Sequence, residues 1–170
     1  MEKLFSDLEG LRVALEIEVR GKEFYRQAYQ KSKNEAQTSL FLALMNEEVA
    51  HYEAFSRIYD ILKQNRDAAA DEYLFDPEVS RYLTALTEAY IFPPPEKAAA
   101  AIDELSGITA VLNLAMQAEK DSILLYDELA RNAKFEAAKK VFSLLKVEEQ
   151  KHVIKIREMM NAWLYESSAT

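Results

Sequence analysis

The sequence predicts an all-α fold, a four-helix bundle made of two helical hairpins joined by a long crossover. Three observations carry that prediction. Four long stretches rich in Ala, Leu, Glu and Lys place apolar residues at helical spacing. Breakers are scarce, since 3 Gly and 4 Pro among 170 residues cannot punctuate a many-stranded β fold. The two halves of the chain also answer each other at one fixed offset, as paired hairpins require. At this length the chain reads as a single domain over 1–170, long enough to bury a real core.

The elements follow in order. Ser6-Asp7-Leu8-Glu9 has the form of a capping box. Leu8, Leu11, Leu15, Glu18, Tyr25 and Tyr29 then recur at helical spacing, so the first helix is expected over about 7–32. Asn34 with Gln37 offers a second cap, opening a helix over about 35–65. Its seam is Phe41, Leu44, Glu48, His51, Phe55, Ile58 and Leu62. Residues from about 66 to 105 read as the crossover. Within it, Asp76-Pro77-Glu78 starts a short helix running to Tyr90, Pro93-Pro94-Pro95 stops it, and another spans Glu96 to Leu105. A linker between domains is the other reading, but neither flank could bury its apolar stripe alone.

Ser106-Gly107 opens a third long helix, expected over about 107–131, with Ile108, Leu112, Ala115, Glu119, Ser122, Tyr126 and Leu129 on one face. The fourth, over about 135–164, carries Ala138, Phe142, Leu145, Glu149, His152, Ile156, Met159 and Trp163. The polar stretch from Glu166 to Thr170 is expected to fray.

Composition removes several functions. A net charge of −8 repels phosphate backbones, so nucleic acid is not an expected partner. With no Cys there is no disulfide, thiol catalysis, iron–sulfur cluster or Cys-ligated metal. Apolar runs such as Leu40–Met45 fall far short of the ~20 residues that span a bilayer, so no membrane is expected. Met1-Glu2-Lys3 opens no apolar signal segment, and a cytoplasmic location is the default expectation.

The chemistry lies in the repeat. An offset of 101 relates Glu18 to Glu119, Tyr25 to Tyr126, Phe41 to Phe142, Glu48 to Glu149 and His51 to His152. Both histidines of the chain sit in Glu-x-x-His, which puts a carboxylate and an imidazole on the same helix face. In each half the first Glu precedes the second by 30 residues. A pseudo-twofold pair of hairpins would thus bring four Glu and two His to one centre. All six lie in line with Leu, Phe and Ile on the buried seams, and burying unpaired charge costs several kcal/mol per group. Six such groups would exceed a domain's net stability of about 5–15 kcal/mol, whereas two divalent cations balance four carboxylates. Mixed carboxylate and imidazole ligation suits iron or manganese, and zinc is not excluded by ligand type.

Glu18-x-x-Gly21-x-x-x-Tyr25, Glu48-x-x-His51, Glu119-x-x-Ser122-x-x-x-Tyr126 and Glu149-x-x-His152 resemble the ferritin-like di-iron carboxylate proteins, and within them the rubrerythrin-like group. The resemblance covers nearly the whole chain. It implies two iron ions, bridged by Glu48 and Glu149, with Glu18 and His51 ending one side and Glu119 and His152 the other. It assigns Tyr25 and Tyr126 to the catalytic site, as donors to ligand carboxylates; aromatic seam filling is their plainer reading. Glu47 and Glu148 read as solvated face. Two departures stand out: Ser122 replaces the additional Glu of rubrerythrins, and the Cys-ligated rubredoxin domain is absent.

Three functions are in view. The first is an oxidoreductase reducing hydrogen peroxide or dioxygen with electrons from a separate donor protein, a homodimer being the expected assembly. The others are iron oxidation and storage in a closed shell, and metal binding without turnover. Gly21 and Ser122, equivalent under the 101 offset, either leave room for a small oxidant or serve close helix packing.

Overall fold

The computed structural model describes residues 3–65 and 73–169. Helix α1 spans Asp7–Lys31 and α2 spans Glu35–Lys63, packed as one hairpin. The crossover carries α3 at Pro77–Glu88, a 3-10 turn at Pro95–Lys97 and α4 at Ala98–Asp103. Helix α5 spans Ile108–Asn132 and α6 spans Glu136–Ser168, forming the second hairpin. Across the bundle α2 packs on α6 and α1 on α5, while α3 lies against α5 and α4 against α1. No strand occurs among the described residues, and no helix among them is long and apolar enough to cross a membrane.

The helix starts follow the predicted caps. Ser6 Oγ accepts from Glu9 N at 3.2 Å, and Asn34 Oδ1 accepts from Gln37 N at 3.0 Å. Asp76 caps α3 through Glu78 N at 2.9 Å, with Pro77 at the first helical position. The capping box at Ser6 is only half formed, because the Glu9 carboxylate is taken by Lys3 and Arg12. The last helix departs from expectation. It runs past the expected end near 164 to Ser168, taking in part of the Glu166–Thr170 stretch expected to fray. The part of the predicted crossover at 66–72 lies outside the described residues.

The crossover contributes to the core as well as spanning it. Phe75, Leu83, Ile91, Phe92 and Ile102 are buried with the bundle's own Leu11, Phe24, Phe41, Phe55, Leu125 and Phe142. Phe5 ties it to the start of the chain, donating its N–H to Ser80 Oγ and accepting from Phe75 N.

Asp7 fastens the second hairpin to the same end of the bundle. It is 1% exposed and lies beneath the α5–α6 turn, where its carboxylate accepts from Lys134 N at 2.9 Å and Phe135 N at 2.8 Å. Those are donors at the start of α6, which has no cap of its own. Burial pushes the Asp7 carboxyl up, and the two amides pull it back only in part. Asp7→Ala strands two donors and should cost about 2–4 kcal/mol in urea unfolding. Asp7→Asn keeps an acceptor without the buried charge and should cost clearly less. Equal losses would show that the hydrogen bonds contribute little.

Candidate metal centre

Helical periodicity turns Glu18, Glu48, His51, Glu119, Glu149 and His152 inward at one level of the bundle, and each is at most 4% exposed. They include two overlapping groups of four, Glu18, Glu48, His51 and Glu149 in one and Glu48, Glu119, Glu149 and His152 in the other. Within each, the candidate ligand atoms lie within 4.8 Å of one another. The groups share Glu48 and Glu149. Glu149 offers one oxygen to each side, Oε1 at 3.1 Å from His51 Nδ1 and Oε2 at 2.8 Å from His152 Nδ1. The two imidazoles face each other with ring centroids 5.1 Å apart.

Buried polar atoms are normally hydrogen-bonded, and here they are not. Glu18 Oε2, Glu48 Oε1, His51 Nδ1, Glu119 Oε2, Glu149 Oε2 and His152 Nε2 are sealed from solvent without a hydrogen-bond partner. Several stand at ion-pair distance from one another, but not along hydrogen-bond directions. Orphaned atoms on five of the six converging residues, with His152 turning Nδ1 into the cluster and its orphaned Nε2 toward Glu47, fit cation ligation, and the oxygen-rich donor set with two imidazoles fits a pair of transition-metal ions.

Tyr25 and Tyr126 are buried beside this cluster and cross between hairpins. Tyr25 Oη donates to Glu119 and Tyr126 Oη donates to Glu18. Each tyrosine therefore serves the carboxylate of the opposite hairpin rather than the Glu on its own helix. Burial first, and the surrounding carboxylates second, push both phenols well above their ordinary range, so they remain donors.

The family model described as Rubrerythrin matches residues 110–168, the segment containing Glu119, Tyr126, Glu149 and His152. A crystal structure from Thermotoga maritima, designated a candidate ferritin-like diiron-carboxylate protein, superposes with a TM-score of 0.69. That similarity covers 94% of this chain and 97% of the other at 25% identity. The fold is ferritin-like, and its second hairpin is similar to the rubrerythrin family. No curated protein sequence matches it significantly.

In this ferritin-like centre protonation is shared among neighbours. Burial lowers the His51 imidazole, but Glu149 and Glu18 outweigh it and raise His51 to about 10. His152 is raised likewise by Glu119, Glu149 and Glu47 against its burial. Burial and the Glu149 charge hold Glu119 up at about 8, and burial with Glu18 and Glu149 pushes Glu48 well up. Glu149 goes the other way despite its burial: the two imidazolium rings bring it to about 2. Without a metal ion, the histidines and two of the acids therefore carry protons that a cation would displace.

Two features correct the reading of the sequence. Glu47 is not simply solvated. Its Oε2 lies 3.0 Å from His152 Nε2, at ion-pair distance without hydrogen-bond direction, while Lys155 Nζ donates to Oε1 at 2.7 Å and Oε2 at 2.9 Å. Glu148 has no such contact and pairs with Lys151 on its own helix, so its solvated reading stands. Gly21 does not open space for an oxidant. A Cβ there would stand 3.1 Å from both Glu48 Oε1 and the Phe92 ring, so the missing side chain is what admits the crossover's phenylalanine. Ser122 is buried, its hydroxyl donating to Ala118 O at 3.0 Å on its own helix.

Proposed function

We propose that this chain is a di-iron oxidoreductase that reduces hydrogen peroxide or dioxygen with electrons from a separate protein. The observation that carries the reading is the pair of overlapping ligand groups sharing Glu48 and Glu149. Glu18 and His51 would complete one iron position and Glu119 and His152 the other. When bound, two adjacent Fe(II) ions supply the two electrons that cleaving a peroxide bond takes, and Lewis acidity at both oxygens.

The chain's own residues do the rest. Tyr126 and Tyr25 hold Glu18 and Glu119 by hydrogen bonds, fixing the outer carboxylates. Glu47 lies against the outer nitrogen of His152 and favours its ring orientation. Phe24, Phe41, Phe55, Phe92 and Phe142 wall the two tyrosines and exclude water. Charge balance requires that one peroxide take up two electrons and two protons and leave as two waters. The chain has no Cys-bound iron to refill the centre, hence the separate donor.

Stopped-flow mixing of anaerobic Fe(II) protein with peroxide tests this. Oxidation should consume one peroxide per iron pair, and turnover should need an added electron donor. No absorbance change from oxidised iron would sink the proposal. Uptake of many iron ions per subunit by a large shell on a sizing column would mark a storage protein instead. Equal retention of zinc, with no oxidant reaction of the iron form, would mark a structural site.

A further inference from the structure

The end of the bundle farthest from Asp7 carries a half-open cavity of about 530 Å³, between the α1–α2 turn, α4, the start of α5 and the end of α6. Pockets of roughly 300–1,000 Å³ are of the size that takes small molecules. Phe41, Ile102, Ile108, Val111 and Trp163 give it an apolar wall.

Gln37 is the buried polar group in that wall. It is 7% exposed, and its backbone N–H is committed to Asn34 Oδ1. Its side chain lines the cavity. The Gln37 amide is not among the side-chain atoms sealed from solvent without a partner, so its partner comes from what fills the cavity, water or a ligand.

A second polar feature meets the same space. Helix α5, 25 residues long, begins at this wall with Gly107 at φ +90° and no capping side chain. A methyl added at Gly107 would meet nothing within 4 Å, so that terminus is open. The N-terminus of a long helix favours negative charge. Lys31 and Lys33 stand at the rim, where Lys31 also pairs with Asp103.

We propose that this cavity binds a small carboxylic acid with an apolar body, its carboxylate accepting from the Gln37 amide and facing the start of α5. The chemistry on the wall selects that class: apolar surface for the body, an amide donor and positive potential for the head. The site is separate from the metal centre and does not depend on the function proposed for it.

Trp163 is the only tryptophan of the chain and lines the cavity, so its fluorescence reports occupancy. Titrating the full chain with octanoate should give a saturable change, and octanol should bind at least about tenfold more weakly. Gln37→Glu keeps the side-chain shape but repels a carboxylate, and should weaken octanoate about tenfold or more while leaving octanol unaffected. Gln37→Leu, of similar volume and apolar, removes the amide if the first variant folds poorly; dichroism melts monitor both. Equal binding of octanoate and octanol, or undiminished octanoate binding by these variants, overturns the head-group assignment. No saturable fluorescence change and no thermal shift with octanoate overturns the site.

Discussion

Chelated protein is expected to melt far below metal-loaded protein, with the gap widening as pH rises from about 6.5 to about 10. The size follows from mass action. Free metal at about 1,000 times its dissociation constant stabilises the fold by roughly 4 kcal/mol. For a domain of this size that is on the order of 8–16 °C in melting temperature.

The pH dependence has a definite sign. In the metal-free fold His51 is raised from 6.5 to about 10. Its contribution to stability is complete below 6.5 and lost as pH climbs through about 10. Glu119, raised from 4.5 to about 8, acts in the same sense: the fold keeps a proton that the unfolded chain has released, so stability falls as pH rises across that interval. Glu149, lowered to about 2, contributes throughout the window and weakens only in acid. A bound cation holds the ligands deprotonated, which relieves the loaded protein of this loss and makes metal affinity rise with pH. Calorimetry of matched loaded and chelated samples across the pH range checks it. Coincident melting temperatures would mean that the buried acids carry no ion.

The second large effect concerns the shared carboxylates. Glu48→Ala should lower occupancy of both metal positions, whereas His51→Ala should mainly weaken one. Glu48 stands 3.5 Å from His51 Nδ1 through Oε2 and 3.8 Å from His152 Nδ1 through Oε1, so its carboxylate faces both groups. Losing an outer-shell partner of a ligand already costs about 10–100-fold in affinity. Losing the ligand itself should cost at least as much, at both positions for Glu48. Metal analysis after equilibrium dialysis, with stoichiometry per chain, separates the two variants. Retention of two tightly held ions by Glu48→Ala would contradict the bridging role.

What the sequence determined by itself is whatever one helix can encode. Helical spacing placed Glu48 with His51, and Glu149 with His152, on the faces that carry Phe41, Phe55, Phe142 and Ile156. The offset of 101 implied that two such faces meet, and the six residues do converge in the structure. Ser6, Asn34 and Asp76 were legible as caps because an N-cap acts over two or three residues of its own chain. Only the tertiary structure decided the contacts that cross between elements. Tyr25 reaches Glu119 rather than the Glu on its own helix, Glu47 meets His152 and Lys155, Asp7 caps α6, and Phe92 fills the space beside Gly21. Periodicity reports which way a side chain points around its helix axis. It carries no information about the axial register between helices or about which loop residue descends onto a glycine, and those are settled when the whole core packs.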